Sequence, residues 1–221
     1  MEVWDVHETT EPVGPRVEAA NTLKEEGNEA FSKGQYAEAM NKYQDALMRL
    51  PPRIQDEQDR PANSVAEDEH MRQTEIVDLR VKIHANMAVC HLKLEQYEDA
   101  VKASSEALAE NPQHVKALHR RATAREHLGG WGPLTAAQKD YQRLDELAKE
   151  GHVPASYRRD LDAALQRLPP LIEAAASKEK DEMVDKLKTV GNKVLGYFGL
   201  STDNFQFQQQ EGGGYSVNFV Q

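Results

Sequence analysis

Ala20-NTLKEEGNEAFSKGQYAEAMNKYQDALMRLPP-Arg53 is the stretch on which the fold turns. With Ala20 as position 1, Leu23 stands at 4, Gly27 at 8, Ala39 at 20, Tyr43 at 24, Ala46 at 27 and Pro51 at 32. Small residues at 8, 20 and 27 let two antiparallel helices cross closely, and the proline ends the second of them. Begun again at Val81, the same offsets give Ala88, Ala100, Ala107 and Pro112, with Ser104 in place of the aromatic. A third unit from Val115 places Leu118 and Ala122 at positions 4 and 8. About three extra residues around Gly130-Trp131-Gly132 then precede Ala137, Tyr141 and Leu144, which recover the small, aromatic and apolar sites.

A helix-turn-helix unit recurring on this period resembles the tetratricopeptide repeat. The resemblance implies an all-α fold, three repeats at about 20–53, 81–114 and 115–150 in a right-handed superhelix, within a domain spanning 15–150. One such unit cannot bury its apolar face alone, and three are about the minimum for a continuous core. Composition agrees with packed helices: 39% of the 221 residues are hydrophobic but only 6% aromatic.

Outside the repeats the pattern changes. Residues 1–14 are acidic, carry Pro12 and Gly14, and read as a disordered tail with Trp4 as its one large apolar group. Residues 54–80 interrupt the first two repeats. Their first half, with Pro61-Ala62-Asn63-Ser64, reads as loop, while Met71, Ile76 and Leu79 are spaced to lengthen the next helix. Residues 151–196 read as one or more capping helices. Tyr157, Leu161, Leu165 and Leu168 form one stripe, Pro169-Pro170 is expected to break or kink it, and part of Leu171–Val194 is expected to cover the edge of the third repeat. In the tail 197–221, alternation in Phe205-Gln206-Phe207 and Tyr215 to Phe219 around Gly212-Gly213-Gly214 reads as a hairpin, or as a strand formed on a partner.

The functional signal lies in five polar residues. Lys24 and Asn28 are four apart on the first helix of repeat one, Lys116 and Arg120 four apart on that of repeat three, and Asn86 lies on that of repeat two. In such arrays the first helices line a concave groove. Three cations and two amides there complement an anion with several oxygens, and a free peptide C-terminus followed back by acidic side chains fits.

These positions resemble the carboxylate-clamp tetratricopeptide co-chaperones, whose clamp uses Lys and Asn at positions 5 and 9 of repeat one, Asn at 6 of repeat two, and Lys and Arg at 2 and 6 of repeat three. The resemblance implies that Lys24, Asn28 and Asn86 grip the terminal carboxylate of a Glu-Glu-Val-Asp tail while Lys116 and Arg120 meet its acidic side chains. Such tails belong to heat-shock protein 90 and heat-shock protein 70. The runs Leu187-KTVGNKVLGYFGLSTDN-Phe205 and Gly214-YSVNF-Val220 are similar to the C-terminal segment of tetratricopeptide repeat protein 1-like adaptors, which carry little beyond three repeats.

Other chemistries find no support in the sequence. A net charge of −10 disfavours general nucleic-acid binding, which rests on clustered Lys and Arg. No apolar run approaches a membrane span, and no basic start precedes an apolar run as in a secretory signal. The single cysteine, Cys90, reads as a small core residue, and a protein of a reducing compartment, cytoplasmic or nuclear, is expected. His84 and His91 lack further convergent ligands, so no metal, no cofactor and no catalytic activity are expected. The expectation is a co-chaperone adaptor whose tail or acidic insertion meets a client or second partner. The alternative is a signalling scaffold whose repeats bind a small GTPase or another folded regulator through loops and edges.

Overall fold

A computed structural model describes residues 13–53, 66–209 and 215–219. The N-terminal acidic segment with Trp4, the first half of the insertion and the glycine run of the tail lie outside the described residues. The chain divides into two compact units, Met1–Leu168 and Pro169–Gln221.

The first unit holds three helix pairs: α1 (Val13–Ser32) with α2 (Tyr36–Arg49), α3 (Ala66–Lys93) with α4 (Tyr97–Glu110), and α5 (Val115–Leu128) with α6 (Trp131–Lys149). Each helix packs on its successor. The first helices of successive pairs, α1 with α3 and α3 with α5, also touch and so share one face of the array. Together these pairs form the all-α, right-handed superhelix of stacked repeats. The second half of the insertion is helical and extends α3 to 28 residues, twice the length of α4.

Close approach within the first pair depends on Gly27. A Cβ there would stand 2.6 Å from Cε1 and 2.8 Å from Cδ1 of Tyr43, so the ring occupies the space a side chain would need. Tyr43, Ala39 and Ala46 are buried beside it. Position 24 of the second pair is Ser104, fully buried, whose Oγ has no hydrogen-bond partner among the described residues. Tight turns join the helices: Gly34 has φ 78° between α1 and α2, and Glu95 takes φ 57° at the matching place between α3 and α4. Gly129 and Gly130, at φ 65° and 77°, make the third turn. The extra residues then enter the first turn of α6, which runs 19 residues against 14 for α2 and α4.

Buried ions tie neighbouring helices together. Asp140 of α6, 4% exposed, accepts from Arg121 Nη2 at 2.7 Å, Arg121 Nε at 3.0 Å and Arg125 Nη1 at 2.6 Å. Glu110, at the end of α4, receives Arg80 Nη1 and Arg53 Nε, each at 3.0 Å, and Arg80 also donates to the Pro51 carbonyl. The end of the first repeat is thereby fixed to the second. Cys90 is buried and its thiol is pushed up to about 11 by burial, in keeping with a core residue. Among the described residues no helix is long and apolar enough to cross a membrane.

A short 3-10 turn, Ala155–Tyr157, leads into α7 (Arg158–Gly196). One expectation needs correction here. The helix continues through Pro169 and Pro170 rather than breaking, and the unit boundary falls between Leu168 and Pro169. Its buried residues are Leu161, Ala164 and Leu168, all before that boundary, whereas Leu171, Met183, Leu187, Val190 and Val194 are exposed. Within the first unit, the buried face of α7 therefore belongs to its first turns. The physical reason is spacing: 161, 164 and 168 recur on one helical face, next to which Arg167 bonds Glu126 of α5.

In the second unit, α7 ends at Gly196 and the chain turns through Gly199 (φ 73°), with Leu200 N–H donating to the Leu195 carbonyl at 3.0 Å. Ser201 and Asn204 form a capping box around the 3-10 turn Thr202–Asn204, and Asn192 accepts from the Thr202 N–H. Strands β1 (Phe205–Gln209) and β2 (Tyr215–Phe219) then pair antiparallel, Phe205 opposite Phe219 and Phe207 opposite Val217. The tail thus forms its own hairpin, and the Phe205 and Phe219 rings meet edge to face at 5.6 Å.

Three outcomes follow from this packing. Gly27→Ala should overpack the Tyr43 ring at about 1–3 kcal/mol, only partly offset by about 1 kcal/mol of helix propensity, a net loss visible in denaturant unfolding. Ser104→Ala removes an unpartnered buried hydroxyl and should leave stability unchanged or raise it by about 1 kcal/mol. His84, His114 and His119 are each held below their ordinary 6.5, chiefly by burial. The unfolded chain therefore takes up these protons first, so stability is full above about pH 6.5 and declines as pH falls through the folded values. Thermal midpoints measured from pH 7 to 5 should fall, and His119→Gln should reduce the slope.

Candidate functional site

Because α1, α3 and α5 share one face, side chains from all three can meet. Lys24 and Asn28 of α1, Asn86 of α3 and Lys116 of α5 line a single cavity of about 600 Å³. Arg120, the fifth residue singled out by the sequence, does not line it. Its guanidinium donates to the carbonyl of Ala85, which is part of the cavity wall, and burial presses it below its ordinary range.

The amides are set by a chain of hydrogen bonds. Asn28 Oδ1 accepts from the Tyr43 hydroxyl at 2.8 Å and from Asn86 Nδ2 at 2.9 Å. With both donors on the oxygen, Asn28 must direct its Nδ2 elsewhere, and it donates to Glu25 Oε2 at 3.0 Å. The aromatic that packs on Gly27 therefore also orients a cavity residue. Burial pushes the Tyr43 hydroxyl up to about 12, so it remains a donor across the physiological range.

Lys24 Nζ lies 2.9 Å from Glu25 Oε1 and donates to Asn21 Oδ1 at 3.1 Å. Hydrogen bonding to Lys24 and Asn28 holds the Glu25 carboxyl below its usual range. Lys82 adds a third lysine to the lining, paired at 2.6 Å with Asp78 one turn earlier on α3. His114 completes the wall and caps α5: its Nδ1 accepts from the Ala117 N–H at 3.2 Å, which requires the neutral ring. Burial, with Arg120, Lys116 and Lys82 nearby, favours that neutral form. An acidic chain thus concentrates cations and amide donors in one concavity.

Sequence reasoning missed Lys82, Glu25, His114 and Tyr43. Lys82 was legible, since it lies four residues before Asn86 and so on the same helical face. Tyr43 could not be found this way, because its hydroxyl reaches the site from the second helix.

A second cavity of about 510 Å³ lies between α5, α6 and the first turns of α7, lined by His119, His127, Tyr141, Asp160 and Arg167 among others. Its Glu126 is taken by Arg167, both contacts at 2.9 Å, and by the Tyr141 hydroxyl at 2.6 Å. Among the described residues no cluster of three or more His, Cys, Asp or Glu side chains could hold a metal ion.

No family model matches the chain. Curated proteins similar to it include Outer envelope protein 61 of Arabidopsis thaliana, 29% identical over 150 residues, covering 68% of this chain and 23% of that protein. Protein unc-45 homolog B of Homo sapiens is 33% identical over 144 residues, 65% of this chain and 13% of its own length. Peptidyl-prolyl cis-trans isomerase FKBP4 of Mus musculus is 29% identical over 132 residues, 60% of this chain and 26% of its own. The chain spans about a quarter or less of the length of these relatives.

Among solved structures, the C-terminal TPR-containing domain of a Plasmodium falciparum FK506-binding protein matches with TM-score 0.58 at 21% identity, over 76% of this chain and 97% of that one. The first TPR domain of human RPAP3 matches with TM-score 0.50 at 22% identity, over 72% and 97%. These matches and the three stacked helix pairs give the chain the tetratricopeptide-repeat fold.

Proposed function

We propose that the chain is a non-catalytic adaptor that binds the free acidic C-terminus of a chaperone, of the Glu-Glu-Val-Asp type carried by heat-shock protein 90 and heat-shock protein 70. One observation carries the reading: Lys24, Asn28, Asn86 and Lys116, drawn from three different repeats, line one cavity. Two lysines and two amides in one cavity suit a group with several anionic oxygens, such as a peptide terminus.

In this reading Lys24, Asn28 and Asn86 take the terminal carboxylate, and Lys116 and Arg120 take acidic side chains upstream. Ala85 uses one of the five N–H donors that a guanidinium carries, so Arg120 can hold the α3 backbone and face a ligand at once. Lys82 offers a further cation along the same wall. Kinship with tetratricopeptide repeat protein 1-like adaptors rests on the wording of Leu187–Phe205 and of Gly214–Val220. A cytoplasmic or nuclear location is part of the same proposal.

Calorimetry with a peptide ending in Glu-Glu-Val-Asp tests it. The expected affinity is micromolar, about −8 kcal/mol, and the C-terminally amidated peptide should bind about tenfold or more weakly. Lys24→Ala and Arg120→Ala should each weaken binding by about 1.5–3 kcal/mol, the loss of a charge-assisted hydrogen bond. No heat from the wild type, or equal binding by both variants, would sink the proposal.

A further inference from the structure

Glu25 stands where the carboxylate of a ligand would. One of its oxygens lies 2.9 Å from Lys24 Nζ, and the other accepts from Asn28 Nδ2 at 3.0 Å. Both donors belong to the site, and Glu25 itself lines the cavity. Its side chain is 66% exposed, so it is held by these two contacts rather than by packing. The donors are less free: the Lys24 side chain is only 15% exposed, and Asn28 Oδ1 is committed to Tyr43 and Asn86. A carboxylate bridging an ammonium and an amide N–H is also the chemistry that the site offers a peptide terminus.

We propose that Glu25 is an internal competitor for the carboxylate site, an inference that rests on reading the cavity as a peptide clamp. Binding is then an exchange. The incoming terminus takes Lys24 and Asn28, and Glu25 turns out into solvent, which its exposure permits without disturbing the core. The exchange has a consequence for ligand class. A peptide with a single carboxylate trades one such contact for another and gains little. A peptide that also carries acidic side chains toward Lys116 gains contacts that Glu25 cannot imitate, because one residue cannot reach both ends of the cavity. Glu25 therefore lowers the affinity of every C-terminus alike, and multiply acidic tails, with their added contacts, are the ones that still bind.

The test compares wild type, Glu25→Gln, Glu25→Ala and Glu29→Gln by calorimetry against the Glu-Glu-Val-Asp peptide in free-acid and amidated forms. Glu29 lies on the same helix, pairs with Lys33 at 2.8 Å and does not line the cavity, so its variant reports on the change in net charge alone. Both Glu25 variants should bind the free acid about two- to fivefold more tightly than wild type, the range of an exposed ion pair, with no such gain for the amide or for Glu29→Gln. A free-acid peptide with neutral upstream residues should gain by about the same factor, since it displaces Glu25 from the same two donors. Unchanged or weaker binding by both Glu25 variants, while Lys24→Ala still weakens the wild type, would overturn the competitor and leave the clamp standing. An equal gain in Glu29→Gln would overturn it as well, as a net-charge effect. Absence of binding by wild type and both Glu25 variants would remove the clamp itself. Thermal midpoints of the Glu25 variants should match wild type.

Discussion

The contact between Gly27 and the ring of Tyr43 governs both the packing of the first helix pair and the site. The ring lies so close to the backbone of α1 that a single added carbon would overlap it. That proximity lets α1 and α2 cross tightly, and it brings the Tyr43 hydroxyl within 2.8 Å of Asn28. Asn28 in turn receives Asn86 from the next repeat. A packing constraint in the core is thus passed through three polar groups to the wall of the cavity. The second repeat lacks the device: Ser104 is too short to reach a first helix, and its hydroxyl is buried without a partner among the described residues.

Register within and between repeats is held by charge as well as by apolar burial. Asp140 with Arg121 and Arg125, and Glu110 with Arg80 and Arg53, place carboxylates between guanidinium groups where little water reaches. Such clusters contribute modestly to net stability because desolvation offsets most of the attraction, yet losing one member costs several kcal/mol. The Glu110 cluster penalises sliding of the first helix pair against the second, and the Asp140 cluster fixes α6 on α5 within the third. The cavity needs that fixity, since its donors come from three repeats and a shift of one helical turn would separate them.

Much of the site was legible in the primary structure. Lys24 and Asn28 are separated by four residues, as are Lys82 and Asn86, and Lys116 and Arg120, and each spacing places its pair on one helical face. The repeat offsets assign those faces to first helices. What could not be read was where each side chain points once the helices are stacked. Arg120 turns to the Ala85 carbonyl and leaves the lining, and Glu25, unremarkable in sequence, folds back over Lys24 and Asn28.

The sequence by itself determined the repeats, the helical second half of the insertion and the alternation that pairs as a hairpin. All are local: they follow from periodicity, small residues and backbone preference within a few turns of chain. Tertiary structure alone decided that α7 runs through Pro169 and Pro170, that its buried face ends at Leu168, and that the extra residues of the third repeat become a helical turn of α6. It also decided which charges are buried and which carboxylate occupies the donors. The contacts that set the amides depend on partners 15 and 58 residues away, between Tyr43 and Asn28 and between Asn86 and Asn28, and no local pattern encodes the direction of a side chain toward a distant one.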